Sequence, residues 1–258
     1  MGRVKIPKIK LSILRLMPAL IFIGLWELLV YLSPDKLFFY GSPSKIAIAF
    51  YNNLFNGTLL VDFFVTFSEA SLGFIIGNIL GVLIGLSLWF SNSAFKIAKP
   101  YILIFGSAPI FALAPLMMIW FGVGMFSKVM MAVLSTVFIA LYQAYSGASN
   151  VSPAQISFIK SWGAGKQMIF RKIIVPSSMV WVISAFRMNI GFALLGAFIG
   201  EYISSRAGLG HLIKVQTGLF NISQVLLGVI MMAVIAIILN YLVALIEKPL
   251  KKALVKYL

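Results

Sequence analysis

The sequence has no cysteine, one histidine and only six acidic residues in 258. Without cysteine there is no disulfide framework, no thiolate nucleophile and no cysteine metal site. The lone His211 cannot build a histidine-based metal cage, and no metal or bound cofactor is expected for this chain. No serine, histidine and acid fall into a spacing that converges on a catalytic centre, which disfavours an intramembrane protease or transferase. Charge as a whole is scarce, at 10% of residues against 61% hydrophobic, with a mean hydropathy of +1.04. A soluble domain cannot hide that much apolar surface, so membrane lipid is the solvent for most of the chain. The length suits a single transmembrane domain over residues 1–258. A net charge of +15 would point to nucleic acid in a soluble protein. In a membrane protein the placement of the charges is what informs, and no nucleic-acid partner is expected.

What is present is a series of long apolar runs. A spanning helix needs roughly 20 predominantly apolar residues. Six segments qualify, at about 13–32, 65–90, 100–121, 128–147, 177–202 and 225–246. The first follows a basic stretch, GRVKIPKIK, but is long, holds Glu27 and ends at SPDK without a small-residue cleavage site, so it reads as an uncleaved anchor. With the N-terminus inside, fifteen of the 21 basic residues fall on the cytoplasmic side. They are Arg3, Lys5, Lys8, Lys10 and Arg15; Lys96 and Lys99; Lys160, Lys166, Arg171 and Lys172; and Lys248, Lys251, Lys252 and Lys256. The opposite side holds Lys36, Lys45, Lys128, Arg206 and Lys214, and Arg187 lies within a span. This asymmetry places both termini in the cytoplasm.

Four features stand out inside the spans. Gly73, Gly77, Gly81 and Gly85 recur every fourth residue, a smooth stripe where another backbone approaches closely. The stripe serves packing within the chain, a subunit interface or a sliding surface. Pro109 and Pro115 interrupt the third span, each removing a backbone donor, either as a structural kink or as part of a pathway lining next to Met117 and Met118. An intramembrane arginine faces a bundle interior or a wet cavity, so Arg187 contacts either an anionic substrate or helix-end carbonyls. Glu201 follows fourteen residues later, ~21 Å along the axis at ~1.5 Å per residue, too far to pair with Arg187. Its expected role is to anchor the loop SSRAGLGHLI, through Arg206. Glu27 and Glu69 lie near span ends, where solvation at the interface is the expectation.

The longest cytoplasmic segment, about 148–176, contains WGAGKQMIFRKIIVP. Phe158, Ile159, Trp162, Ile169 and Ile173 recur at helical spacings, while Lys160, Lys166, Arg171 and Lys172 lie largely elsewhere on the wheel. This predicts an amphipathic helix, broken near Gly163 and Gly165, with Pro176 starting the fifth span. It serves as an interfacial helix on anionic lipid or as a docking element for a cytoplasmic partner. A phosphate-binding loop is excluded, because Lys160 stands where its first glycine belongs and Gln167 where its Ser/Thr belongs.

These residues carry a resemblance. The frame Gly163, nine residues, Ile173, Ile174, Val175, Pro176 is similar to the cytoplasmic signature of the permease subunits of ATP-binding-cassette (ABC) importers. In that signature E-A-A precedes the glycine by three residues; here the triplet is Ser157, Phe158 and Ile159. APIFALAPLMMIWFGVGMFSKV resembles the P-x-x-A-L-x-P-L-x-x-x-W-F-G-x-G-x-x-S-K run of the nitrate/sulfonate/taurine-type group. FRMNIGFALLGAFIGEYISSRAGLGHLI resembles that group's arginine-to-glutamate fifth span and G-L-G segment, through Arg187, Glu201, Gly208, Leu209 and Gly210. Where the group has arginine in the second span, Glu69 stands here.

The resemblance implies an all-α type I importer permease with six transmembrane helices, working as a homodimer in the bacterial cytoplasmic (inner) membrane. Each copy would dock an ATP-hydrolysing subunit, which binds ATP and Mg, through a coupling helix around 152–165. The coupling surface would comprise Ser157, Phe158, Ile159, Trp162, Gly163, Ala164, Gly165, Ile173 and Pro176. Pro109, Pro115, Met118, Arg187 and Glu201 would line or gate the path. An extracytoplasmic binding protein would deliver a small solute, with a small anion such as a sulfonate, taurine, nitrate or bicarbonate expected and a vitamin precursor as the alternative. A different class, a secondary transporter driven by an ion gradient, would need midplane ion ligands, whereas the acidic residues here cluster near span ends.

Overall fold

The computed structural model describes residues 8–254. Of the basic residues used for topology, Arg3, Lys5 and Lys256 lie outside the described residues, as do the side chains of Lys8, Lys10, Arg15, Lys251 and Lys252. All regular structure among the described residues is helical. The chain runs through α1 (Lys8–Leu32), α2 (Leu37–Tyr40), α3 (Pro43–Phe55), α4 (Thr58–Ser87), α5 (Asn92–Ser107), α6 (Ile110–Phe121) and α7 (Met125–Ser149). It continues through α8 (Pro153–Ser161), α9 (Lys166–Ile169), α10 (Val175–Ile203), α11 (Leu209–Gly218) and α12 (Ile222–Leu254). Among the described residues, four helical runs are long and apolar enough to cross a membrane, or up to six if each of two bent pairs counts as one span.

The expected third span, 100–121, is one of those bent pairs: α5 and α6 meet at 95°. The cause is local. Ala108 precedes Pro109, whose ring excludes the helical region for its neighbour, and Ala108 is extended at ψ 133. Pro109 itself stays extended and the helix restarts at Ile110. Pro115, also expected to interrupt the span, lies inside α6 without ending it. The fifth span starts earlier than its predicted boundary, since the helical run is continuous over Lys166–Ile203. A π-helical turn, Phe170–Ile174, joins α9 to α10. Its wider winding accommodates Pro176, which has no N–H to give to the preceding turn and whose ring crowds the carbonyl four residues back.

Contacts divide the chain into two units, Met1–Leu60 with Leu212–Ile230, and Val61–His211 with Met231–Leu258. In the first, the Glu27 carboxylate of α1 accepts from Ser44 N (3.0 Å) and Ser44 Oγ (2.7 Å) at the start of α3. Asn53 Nδ2 donates to Gln224 Oε1 at 2.6 Å, and the Phe38 and Phe220 rings stack at 5.8 Å.

In the second unit, α7 and α10 are the inner helices and share the broadest interface. Small residues make this possible: a side chain at Gly196 would strike Ala132 and Ser135, and one at Gly147 would strike Trp181. Against the other side of α7 lies the glycine stripe of α4. A Cβ at Gly73 would meet Ala132, at Gly77 Thr136, at Gly81 Val137 and Ala140, and at Gly85 Leu141 and Ala144. The stripe is therefore a close backbone contact within the chain, the arrangement that favours helix association where lipid supplies no hydrophobic drive.

Candidate coupling surface and translocation face

The segment between α7 and α10 has two faces. Pro153 starts α8, and the helix ends at Trp162 with Gly163 in the left-handed region at φ +82, a conformation that favours glycine. Ile156, Ile159 and Ile173 pack onto a core of Ala148, Val151, Ala164, Ile169, Ile174 and Val182. Trp89 and Phe170 close this core, with ring centroids 5.6 Å apart. Lys166 Nζ donates to Phe90 O at 2.7 Å and sits over the Trp89 and Phe90 rings, tying α9 to the end of the second span. On the other face Phe158 and Trp162 are 63% and 79% exposed, with ring centroids 6.1 Å apart. Ser157, Gly163 and Gly165 are exposed beside them, Ala164 is buried and Pro176 half-buried.

The helical spacing of Phe158, Ile159, Trp162, Ile169 and Ile173 predicts one apolar stripe. The structure separates them: Ile159, Ile169 and Ile173 face inward, while Phe158 on α8 and Trp162 at its C-cap project outward. Met168, 58% exposed, was not anticipated as part of that outer surface. Nor was the Lys166 tether, for which an aromatic pair at 89–90 was the available signal.

A second feature is the open face of α10. Val180, Ser184, Met188, Gly191 and Leu195, all exposed, follow at helical spacing. Arg187 lies on this side, with its side chain 59% exposed. Its Nε and Nη2 donate to Glu247 Oε2 of α12 at 3.1 and 2.6 Å, and the Glu247 side chain is only 6% exposed. Arg187 thus pairs with a carboxylate, a partner the sequence reading did not consider, and not with helix-end carbonyls. A charged side chain left open on a spanning helix is incompatible with lipid and marks a face that meets water or protein.

At the break between α5 and α6 lies a cavity of ≈ 380 Å³, lined by Ser107, Pro109, Ser135, Phe138, Phe192 and Leu195 among others. It shares Leu195 with the open face of α10 and Pro109 with the bend. Pro115, Met118, Arg187 and Glu201 are not among its lining residues. Met117 packs inward with Ala114, Met131 and Ile199, and Met118 is half-buried.

Glu201 occupies a cradle. It is fully buried and accepts from Thr66 Oγ1 (2.7 Å) and Gly210 N (2.6 Å). Thr66 Oγ1 also accepts from Leu209 N (2.8 Å), and Asp62 Oδ1 accepts from Gly208 N (2.7 Å). Three side chains from two spans therefore satisfy successive N–H groups at the start of α11, which a helix leaves unpaired. Glu201 does anchor the following loop, but through Gly210 and Thr66 instead of the expected Arg206. The glycines of G-L-G have physical causes here: Gly208 sits at φ +110, and a side chain at Gly210 would strike Glu201.

Glu69 departs from expectation. It is buried beside Glu201 and Lys128, not solvated at an interface. Lys128 is itself buried and donates Nζ to Val123 O at 2.7 Å. No group of three or more histidine, aspartate or glutamate side chains able to hold a metal ion occurs among the described residues.

Long apolar helices, one pair bent at a proline, with a buttressed short helix between two inner spans, define a polytopic helical membrane protein. The chain belongs to the family of binding-protein-dependent transport system inner membrane components, whose profile matches residues 77–252. It is 29% identical over 205 residues to a probable ABC transporter permease protein of Haemophilus influenzae, covering 77% of this chain and 82% of that protein. It is 25% identical over 237 residues to the putative aliphatic sulfonates transport permease protein SsuC of Bacillus subtilis, covering 92% and 86%. A riboflavin transport system permease protein, RibX of Chloroflexus aurantiacus, is 29% identical over 225 residues, covering 87% and 84%. The fold matches a chain of the inward-facing MetNI methionine ABC transporter, with TM-score 0.65 at 13% identity, covering 73% of this chain and 94% of that one. The expected all-α type I importer permease fold is the one observed.

Proposed function

We propose that this chain is the non-catalytic permease subunit of an ATP-driven importer, assembled as a homodimer in the bacterial inner membrane with both termini in the cytoplasm. The observation that carries this is the exposed Phe158–Trp162 pair on a short helix that is itself packed firmly between the two inner spans. Large aromatic side chains presented on a rigid support are the anchors of protein interfaces. Each α8 docks one ATPase subunit, which holds ATP and Mg and supplies the chemistry. The exposed Lys160, Arg171 and Lys172 around the anchor favour an acidic rim on that subunit.

The open face of α10 and the cavity at the Pro109 break form the path. The likeness to a putative aliphatic sulfonates permease favours a small anionic solute such as a sulfonate, taurine, nitrate or bicarbonate, handed over by an external binding protein, while Arg187, paired with Glu247, braces α10 against α12 on that face. Closure of the ATPase pair on ATP draws the two α8 helices together and turns the spans outward; hydrolysis resets them, a rigid-body switch. Co-expression tests the assignment. A stable complex of this chain with an ATPase subunit supports it, and solute uptake by the isolated chain driven by an ion gradient overturns it.

A further inference from the structure

Two amides lie buried in the apolar middle of the second and fifth spans. Asn78 sits in the run FIIGNILG of α4 and Asn189 in RMNIGF of α10, with Thr136 of α7 between them, all three buried. Asn189 Nδ2 donates to Asn78 Oδ1 at 2.7 Å and to Thr136 O at 3.1 Å. Asn78 Nδ2 is in turn held by Phe74 O at 2.7 Å, which fixes which side of the amide faces Asn189. One NH2 group thus joins three helices at a single point, in the row where Gly77 brings α4 onto Thr136. Apolar side chains would fill the same space without the penalty of burying amides. What a paired polar group adds is register, since any slide of one helix past another strands the amides in an apolar surrounding.

The position of this junction in the chain gives it a consequence. α8 connects α7 to α10, so a pull on α8 acts on both of those helices directly, but reaches the second span through packing, through the Lys166–Phe90 hydrogen bond at its end and, in its middle, through Asn78. We propose that Asn189 is a positioning residue that pins α4, α7 and α10 as one body throughout the transport cycle, so that motion of α8 is delivered to the second span without slippage. This rests on the reading of α8 as the ATPase dock.

The absence of cysteine makes the test direct. Asn78→Cys with Asn189→Cys, assembled with a cysteine-free ATPase partner and the binding protein in proteoliposomes, is bridged by a short bis-methanethiosulfonate cross-linker. Before bridging this variant lacks the amide pair, so its uptake per ATP hydrolysed should be several-fold below wild type; bridging should restore the ratio, and bridging that leaves it low or lowers uptake further overturns the pin. As a second variant, Asn78→Leu with Asn189→Leu keeps the site apolar and filled. The expected outcome is a several-fold fall in solute taken up per ATP hydrolysed at equal amounts of assembled complex. An unchanged ratio, with uptake and hydrolysis merely tracking the amount of complex, shows a packing role only and refutes the proposal. A wild-type complex whose uptake ignores ATP would refute the functional reading instead, which separates the two failures.

Discussion

Replacing Glu201 by alanine removes the acceptor for two donors, Thr66 Oγ1 and Gly210 N–H, from a site without solvent access. A buried donor left unpaired costs about 1–3 kcal/mol, so the two together amount to about 2–6 kcal/mol, before any cavity left by the missing side chain. Thr66→Val strips the hydroxyl that donates to Glu201 and accepts from Leu209 N–H, leaving that N–H unpaired at about 1–3 kcal/mol. Because the two residues share a hydrogen bond, the double variant should lose less than the sum, by about 0.5–3 kcal/mol. Glu201→Gln keeps one acceptor oxygen and turns an NH2 toward the second donor, so it should fall between wild type and alanine. The assay is unfolding in mixed micelles of a mild detergent with increasing dodecyl sulfate, followed by tryptophan fluorescence. An alanine variant that unfolds at the wild-type midpoint, or a double variant whose loss equals the sum, would refute the cradle as the element holding the start of α11.

Three further outcomes follow from the geometry. Gly81→Ala should destabilise by about 1–3 kcal/mol, because its Cβ meets Val137 and Ala140; Gly191→Ala, in the interior of α10 where its Cβ meets nothing, should raise the unfolding midpoint, stabilising by about 0.4–1 kcal/mol, and equal shifts in both would contradict the packing account. Trp162→Ala should leave folding intact while costing at least about 2 kcal/mol of affinity for the ATPase subunit, measured by co-purification at graded partner concentration; undiminished capture would exclude Trp162 as an anchor. Gly208→Ala, at φ +110 against Glu201, should lower the midpoint by more than the roughly 0.4–1 kcal/mol by which a compatible Gly→Ala change stabilises, and a stabilised variant would show the turn to be other than described.

Much of this architecture is legible in the sequence because a few patterns strongly favour one physical outcome. Glycine at every fourth position of an apolar helix produces a surface without side chains, and α7 fills it. At Ala108–Pro109 the residue before the proline takes the extended conformation that a following proline favours, and the third span bends there. Other features were hidden because they depend on what meets what across the fold. Pro115 carries the same local cost as Pro109 but sits within α6, where the helix tolerates it. The apolar stripe around Trp162 divides into inward and outward members only through the core of Leu86, Ala144, Ala148 and Val182, contributed by other helices, on which Ile159 and Ile173 pack. Glu69 and Glu201 look like span-end carboxylates in the sequence; the groups that satisfy Glu201 are the Gly210 N–H nine positions on and the Thr66 hydroxyl 135 positions back, and Glu69 lies beside it in the interior. Glu247 gave no local signal, since its partner Arg187 is sixty residues away.

The most direct test of the central claim is uptake by proteoliposomes containing this chain, its ATPase subunit and its binding protein loaded with solute. Uptake that requires all three components and ATP inside the vesicle, and is indifferent to proton or sodium gradients, is the predicted result. Uptake by the permease chain alone, driven by such a gradient and unaffected by ATP, would contradict it.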